Sequence, residues 1–492
     1  MGFVNNFLNS ITTYRFVLYA LTALTILAII LGFVGALPYE GIWLLLSAII
    51  LLAVCFISNY IFSKIFSAPV NVESPFITAL ILFMLMTPPA TPSDLKILAL
   101  AGIIAMVSKY LIAPFKRHIF NPAAFAAAII FVTGLGGASW WVGNRAMFLL
   151  VLVAGLLVVK KLRRFDLLFP FLAGGLGFTI YLGVASGAAV TPLLYMALFS
   201  GPLLFFGTIM LTEPITAPPR RASRVIYGTI LGILFGSQIH IGSFYPTPEF
   251  MLLAGNVFSY LVGFRRKIIF TLKGKDKIAK DIYEFIFAPD RPFFFAPGQY
   301  LEWTLPHSPS DARGVRRYFT IASSPTEREI RLGIKLNSPP SSFKKTLFEL
   351  EEGAKVFAGQ LAGDFTLPRG KNRKLAFIAG GIGVTPFRSM IKYLVDSGEK
   401  RDIKLLYAMR DENEIAYRYL FIEAEAKIGL KAEYVVSKLM DAALIREKLP
   451  DWSERVFYIS GPEAMVSAFK KILRDMGAPR LNIVTDYFPG FA

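Results

Sequence analysis

Hydrophobic and polar positions divide the chain into two halves of different character. Up to about residue 263 apolar residues form long runs separated by polar loops, and after it they recur at the spacing of soluble strands and helices. An apolar run of about 20 residues crosses a bilayer as a helix. The pattern predicts a polytopic α-helical membrane domain over residues 1–263 with about ten helices, several of them short or broken by Gly or Pro. The runs are Phe16–Leu37, Gly41–Phe62, Phe76–Thr87, Leu95–Ala113, Ala123–Leu135, Ala146–Val159, Leu167–Val184, Leu193–Leu211, Val225–Ile239 and Phe250–Phe264.

Lys and Arg are distributed unevenly over the loops between these runs. They fall in alternate loops, whereas the intervening loops hold only Lys96 and Arg145. Basic loops stay on the cytoplasmic side, so both termini and the second half are expected to be cytoplasmic, with the protein in the inner membrane. No cleavable leader is expected, because the first run is too long and lacks a small-residue cleavage site.

The second half changes pattern once more, near residue 370. Short runs between turns predict an antiparallel β-barrel over residues 264–370. Buried strands alternating with helices predict an α/β domain with a parallel sheet over residues 371–492. The barrel strands are expected at Ile268–Leu272, Ile282–Ala288, Tyr300–Leu305, Arg317–Ala322 and Ile330–Leu336, with a helix at Thr346–Glu352. The later elements are strands at Leu375–Ala379, Ile403–Ala408, Ala432–Val436 and Val456–Ile459, and a helix at Phe387–Asp396.

Composition and charge limit which partners and cofactors the protein is expected to bind. The chain has 492 residues, 54% of them hydrophobic, and a net charge of +18. Because the basic residues lie mostly in membrane-flanking loops, anionic lipid is the expected partner and nucleic acid is not. One cysteine, Cys55, cannot supply an iron–sulfur cluster. The chain's three histidines (His118, His240 and His307) cannot supply the four axial ligands of two haems, and no metal site is expected.

A first candidate site lies at residues 317–325. Arg317 offers a guanidinium for phosphate, Tyr318 an aromatic ring to pack on a flat ring system, and Thr320 a hydroxyl for a ring nitrogen. An ordinary surface strand with an exposed Arg is the alternative. Further on, Ser341 and Ser342 open a helix, where hydroxyls and free N–H groups bind anions. Helix capping alone would explain these serines equally well.

A second candidate site follows the buried strand Leu375–Ala379. The turn Gly380-Gly381-Ile382-Gly383-Val384-Thr385-Pro386 lets backbone approach a pyrophosphate at a helix start, although its spacing is not the usual Gly-x-Gly-x-x-Gly. The stretch Ser460-Gly461-Pro462-Glu463-Ala464-Met465 ends a later strand and begins another helix. Alone, a glycine turn of this sort is weak evidence of function.

Taken in order, these stretches and the terminal Asp486-Tyr487-Phe488-Pro489-Gly490-Phe491 resemble the ferredoxin–NADP⁺ reductase superfamily from about residue 265 to 492. The resemblance implies FAD and NAD(P)H as cofactors. Ser460 departs from the family, which often has Cys there, and a slower or altered hydride step is expected. FAD would be held by Arg317, Tyr318, Phe319, Thr320, Ile334, Lys335, Ser341 and Ser342. NAD(P)H would be held by Gly380, Gly381, Gly383, Thr385, Pro386, Arg410, Gly461, Pro462 and Met465, with Thr320, Ser460 and Phe488 next to the reacting rings.

The choice between NADH and NADPH stays open. Arg410 and Asp411 follow the strand that usually meets the adenosine ribose. A basic residue there favours a 2′-phosphate and an acidic one a free hydroxyl, and both are present.

Residues 70–240 resemble a second family, the flavin-carrying membrane subunits of sodium-pumping NADH:quinone reductase (B subunit) and of the Rnf complex (D subunit). The similarity rests on Phe120-Asn121-Pro122-Ala123-Ala124, on Thr212-Glu213-Pro214-Ile215-Thr216-Ala217-Pro218, and on the regions around residues 74–89 and 186–193. It implies FMN attached to a threonine. Thr191 is the candidate here, with an apparent two-residue insertion before it, and non-covalent FMN or riboflavin is the alternative. Asn121 and Thr212 are further candidate flavin contacts, and Glu213 is a candidate ion-path carboxylate.

Together these features predict a membrane-bound NAD(P)H-dependent flavoprotein oxidoreductase. Electrons would pass from cytoplasmic NAD(P)H through FAD to a membrane flavin, then to a quinone or an extracytoplasmic redox protein. Ion translocation and further membrane subunits would be compatible with it. The alternative from another class is a transporter or channel-like membrane domain, regulated or energised by the fused reductase.

Overall fold

The structure is a computed structural model of the chain, and it divides into two compact units, Met1–Arg266 and Lys267–Ala492. Each unit is described by itself. The described residues are 7–8, 11–66, 73–114, 117–237, 242, 246–263, 267–311, 314–336, 339–437 and 440–486.

The described part of the first unit is helical. A helix lies at each of the apolar runs, because a helix satisfies the backbone hydrogen bonds of an apolar segment within the segment itself. An Asn–Pro pair begins α5: the Asn121 side chain accepts a hydrogen bond from Ala124 N (3.0 Å), and Pro122 takes the first turn, where a missing N–H costs little. The helices are α1 (Thr13–Phe33), α2 (Gly41–Ile65), α3 (Glu73–Leu85), α4 (Pro92–Leu111), α5 (Pro122–Val132), α6 (Phe148–Leu162), α7 (Phe165–Ala185), α8 (Val190–Phe199), α9 (Leu203–Met210), α10 (Arg221–Ser237) and α11 (Pro248–Val262).

The prediction of about ten membrane-spanning helices was wrong in number. Within the described residues three helices, α1, α2 and α7, are long and apolar enough to cross a membrane, or four if α8 and α9 count as one span bent by 58°. Several others are too short: α3, α5 and α11 have 13, 11 and 15 residues. At 1.5 Å per residue, such helices fall well below the ~30 Å of a hydrocarbon core. The 20-residue α4 carries Asp94, Lys96 and Lys109.

The second unit begins with a curled antiparallel sheet. Within the described residues its strand order is β4-β3-β6-β1-β2-β5. Trp303 fills its interior, with ring centroids 4.7 Å from Phe270 and 5.0 Å from Phe287. Strands are present at all five expected positions. A sixth strand, β6, was not predicted, because Gln360 (φ 50°) interrupts the alternation of buried and exposed residues where the register between β6 and β3 shifts. The elements are β1 (Ile268–Ala279), β2 (Ile282–Pro289), β3 (Tyr300–Thr304), β4 (Arg316–Thr320), β5 (Ile330–Lys335), α12 (Ser342–Glu349) and β6 (Lys355–Ala362).

A parallel sheet follows, with helices between its strands. Within the described residues its order is β11-β10-β7-β8-β9. Every residue of its central strand is buried, as expected for a parallel strand covered on both faces. This confirms the predicted α/β pattern, to which the structure adds β11. The elements are β7 (Leu375–Gly380), α13 (Thr385–Ser397), β8 (Ile403–Met409), α14 (Arg418–Ile428), β9 (Lys431–Val436), α15 (Ala442–Lys448), β10 (Val456–Ser460), α16 (Glu463–Asp475) and β11 (Ile483–Asp486).

Candidate functional site

The topology of the parallel sheet creates a crevice between β7 and β10. From β7 the chain proceeds to β8 and β9 on one side, then crosses to β10 and β11 on the other. Ligands of open α/β sheets bind at such a switch point, outside the carboxyl ends of the strands. Ser460 pairs with Ala379 at that end, so the two motifs that follow these strands lie side by side.

The glycines of the first motif serve two different purposes. A Cβ on Gly383 would lie 2.5 Å from the Gly461 Cα and from the Ser460 carbonyl oxygen, and one on Gly380 would collide with the Met465 sulfur. These two glycines therefore allow the two motifs to pack together. Gly381 differs, because its φ is +51° and a Cβ there would meet nothing within 4 Å. Open space beside a glycine at a helix start fits the close approach of a phosphate-bearing ligand.

Strand β4 presents its candidate residues on two faces. Arg317 and Phe319 both contact the Phe343 ring, with the guanidinium carbon 5.2 Å and the Phe319 centroid 5.8 Å from its centroid. Tyr318 instead meets Tyr300 edge-on, with centroids 5.6 Å apart. Since side chains alternate along a strand, the cation and the phenol point to opposite sides of the sheet, and buried Thr320 shares the side of Tyr318.

Arg317 and the start of α12 form an anion-binding arrangement. The Ser341 hydroxyl accepts a hydrogen bond from Lys344 N (3.3 Å) and caps the helix. Ser342 N donates to one carboxylate oxygen of Asp311 (3.1 Å), and Arg317 Nη2 donates to the other (3.2 Å). These donors already hold a carboxylate within the chain, so their chemistry suits the diphosphate of a dinucleotide. The sequence pattern did not point to Asp311, which lies in a polar loop without a recognisable motif.

Comparisons with known proteins give matches in the second unit. Residues 377–471 match the family model described as an oxidoreductase NAD-binding domain. Over 215 residues the chain is 26% identical to the glycine betaine monooxygenase reductase subunit of Chromohalobacter salexigens, covering 40% of this chain and 57% of that protein. Over 237 residues it is 24% identical to the flavohemoprotein of Bacillus subtilis, covering 44% of this chain and 58% of that protein. The chain thus spans less than two thirds of the length of these relatives.

Solved structures give a likeness of similar extent. The FAD/NAD-binding domain of nitric oxide dioxygenase from Vibrio cholerae is 21% identical, with a TM-score of 0.41, and the match covers 45% of this chain and 98% of that chain. By these comparisons the C-terminal half is similar to NAD(P)H-dependent FAD oxidoreductases, and we call it the reductase module. The family match covers residues 377–471 and so does not show the resemblance of residues 70–240 to the membrane flavin subunits.

Within the reductase module, β5 meets the glycine turn. A Cβ on Gly333 would lie 2.7 Å from Thr385 Cγ2 and 2.5 Å from the Tyr417 hydroxyl. Ile334 is buried, and Lys335 forms an ion pair with Glu414 (2.8 Å). Burial is the main cause that raises the pKa of Tyr417 well above its ordinary value, and nearby Glu284 adds to it. The phenol therefore stays neutral at physiological pH.

A buried arginine and a partly buried glutamate join the barrel to the α/β layer of the reductase module. The Arg388 guanidinium forms a two-pronged ion pair with Glu327, one prong of 3.0 Å, and donates to the Ala322 carbonyl (3.1 Å). Ser389 Oγ donates to the Ser323 carbonyl (2.6 Å) beside it. Burial works to lower the pKa of Arg388, but the hydrogen bond and charge of Glu327 outweigh it and raise the pKa. These contacts connect the segment after β4 to α13.

The remaining sequence-predicted residues of the reductase module fall in different surroundings. Arg410 is exposed, whereas Asp411 pairs with Lys280 (2.8 Å), and that hydrogen bond lowers the pKa of Asp411. Pro386 lies in the first turn of α13, and Pro462 precedes α16. Phe488 lies outside the described residues.

In the helical unit the structure brings Asn121 and Glu213 together. Asn121 Nδ2 donates to Glu213 Oε2 (2.8 Å), and Thr216 Oγ1 donates to the same oxygen (2.9 Å). Thr212 instead donates to the Thr208 carbonyl (2.6 Å), and Thr191 is exposed in the first turn of α8.

Proposed function

We propose that this protein is a membrane-bound oxidoreductase that takes electrons from NAD(P)H at the crevice between β7 and β10 and delivers them through FAD to the helical unit. The observation that carries the proposal is the packing of the Gly380–Gly383 turn against Gly461 and Met465, in a region that matches an oxidoreductase NAD-binding domain. FAD, when bound, supplies the conversion of a two-electron hydride into single electrons.

The chain's own residues would bind and orient the cofactors. Arg317 and the first turn of α12 would hold the diphosphate of FAD through charge-assisted hydrogen bonds. Thr320 and Phe488 would lie near the flavin ring. The open side of Gly381, together with the N-terminus of α13, would receive the dinucleotide. Ser460 would replace the usual thiol beside the nicotinamide, and its hydroxyl would hydrogen-bond there.

The location and the acceptor complete the proposal. The apolar helices α1, α2 and α7 would anchor the protein in the inner membrane, with the reductase module in the cytoplasm. A flavin in the helical unit, FMN at Thr191 or non-covalent FMN or riboflavin, would carry electrons towards a quinone or an extracytoplasmic redox protein. Crossing ~30 Å of hydrocarbon without such an intermediate carrier would be too far for the FAD alone.

A flavin inventory tests this proposal. The purified full-length protein is denatured, released flavins are separated by chromatography, and flavin fluorescence left on peptides is mapped. FAD together with FMN on the Thr191 peptide would support both redox units, and additional free FMN or riboflavin would support a non-covalent carrier. FAD alone would remove the redox role of the helical unit. Absence of FAD, or an Arg317→Ala variant that binds FAD as well as the wild type, would refute the assigned reductase site.

A second candidate function is ion translocation or transport by the helical unit. It is favoured by the Glu213 carboxylate, which lies in a break between helices and is held by Asn121 and Thr216. Proteoliposomes supplied with NAD(P)H and an electron acceptor would show redox-dependent cation flux. Glu213→Gln is expected to abolish that flux while NAD(P)H oxidation persists, and unchanged flux would refute the role of this carboxylate.

A further inference from the structure

Asp311 connects two separate elements of the proposed FAD site. Its backbone N–H donates to Ser342 Oγ (2.9 Å), and its carboxylate accepts from Ser342 N (3.1 Å). The other carboxylate oxygen accepts from Arg317 Nη2 (3.2 Å). Asp311 therefore binds Ser342 reciprocally, as a capping box does within one helix, but here across 31 residues of sequence.

His307 extends this arrangement by one step. Its Nδ1 lies 2.8 Å from the Leu305 carbonyl oxygen, which can only accept, so Nδ1 donates this hydrogen bond. Nε2 lies 2.9 Å from the Ser342 hydroxyl oxygen, which also accepts a hydrogen bond from Asp311 N. The hydroxyl of Ser342 is thus fixed in direction by two residues of the β3–β4 loop.

Arg317 is held from several sides. Its Nη1 donates to the carbonyls of Gly314 (2.9 Å) and Arg316 (2.7 Å), and its guanidinium lies over the Phe343 ring of α12. The Arg317 side chain is 5% exposed, whereas that of Asp311 is 27% exposed. A buried guanidinium of fixed direction is pre-organised to bind an anion, because the entropy cost of ordering the side chain is not incurred on binding.

We propose that Asp311 is a positioning residue for FAD, resting on the proposed reductase function. Its carboxylate joins the Arg317 guanidinium and the first turn of α12 into one anion-binding unit, and it acts through these groups without touching the cofactor. Supporting side chains behind a binding site commonly contribute to affinity in this way.

The test compares FAD and riboflavin binding to the full-length protein in detergent after flavin removal, followed by quenching of flavin fluorescence. Riboflavin serves as the probe without a phosphate, and only the riboflavin that FAD displaces is counted as bound at the FAD site. Asp311→Asn keeps the size of the side chain but removes its charge. We expect the Kd for FAD to rise about tenfold or more, while that for riboflavin stays within about twofold.

Matched controls separate this effect from general damage. Asp290 also pairs with an arginine, Arg291, and its side chain is similarly exposed at 26%, so Asp290→Asn should leave both affinities unchanged. In an Arg317→Ala background Asp311→Asn should cause little further loss of FAD affinity, because the two residues act as one unit. A full, additive loss in that background would overturn the positioning role.

Other outcomes are equally decisive. Equal weakening of FAD and riboflavin would mean that Asp311 only stabilises the barrel, and tighter FAD binding would mean that its carboxylate competes with the diphosphate. Either result overturns the inference. If Arg317→Ala weakens FAD binding but Asp311→Asn does not, the FAD site stands and the inference falls. If neither substitution has an effect, the proposed FAD site itself falls.

Discussion

The ion pair between Arg388 and Glu327 makes the sharpest energetic prediction. The two side chains are 9% and 17% exposed, and Glu327 also accepts from Ser324 N (2.7 Å). Glu327→Ala would leave the guanidinium buried without its carboxylate, and breaking a buried pair from one side costs about 3–5 kcal/mol. Since Glu327 keeps some contact with water, we expect the lower end, about 3 kcal/mol, or a melting temperature about 6–12 °C lower for a unit of this size.

Thermal unfolding followed by the fluorescence of bound FAD reports on the reductase module alone. Glu423→Ala is the matched control, because it removes an ion pair with Lys427 on an exposed helix face, where little change is expected. The double substitution Glu327→Leu with Arg388→Met should recover much of the lost stability, since neither charge of this pair is left without its partner. A Glu327→Ala variant with the same melting temperature as the Glu423→Ala control would refute the reasoning.

Two further predictions concern the α/β layer. Gly383→Ala would push a methyl group into the Gly461 and Ser460 backbone, so we expect a destabilisation of about 1–3 kcal/mol and a raised KM for NAD(P)H. The control Gly370→Ala meets only the Arg373 side chain and should change neither quantity. A KM for NAD(P)H that is the same in Gly383→Ala and in the wild type would contradict this prediction. The hydrogen bond from Arg455 is the main reason that the pKa of Asp451 lies well below its ordinary value, so Asp451 stabilises the fold above its unfolded pKa of about 4 and loses this contribution as pH falls towards the folded value. The stability difference between wild type and Asp451→Asn, measured by denaturant unfolding, should therefore shrink between pH 5 and 3, and a constant difference would show that the pair does not titrate with folding.

Local pattern was sufficient for the layers of the reductase module and for the motifs of its crevice. Alternation and apolar runs located five of the six barrel strands and the buried strand β7, because each of these depends on its own side chains. Pattern could not reveal Asp311, whose importance comes from contacts with Arg317 and Ser342 across a loop. The pattern also did not predict the number of spanning helices, because the helix ends depend on turns and polar neighbours as much as on hydropathy.

The glycine turn shows how far a motif can carry a functional inference. Gly380 and Gly383 are required by the close packing of two loops of this chain, so their presence alone would be explained without any ligand. Gly381 is different, since its left-handed backbone turns it towards open space at the start of a helix. Dinucleotide binding is therefore supported by Gly381 and by the position of the turn at the switch point. This difference also explains why the unusual Gly-Gly-x-Gly spacing is compatible with nucleotide binding. Gly380 and Gly383 are needed for packing against the neighbouring loop, and only Gly381 would have to accommodate a phosphate.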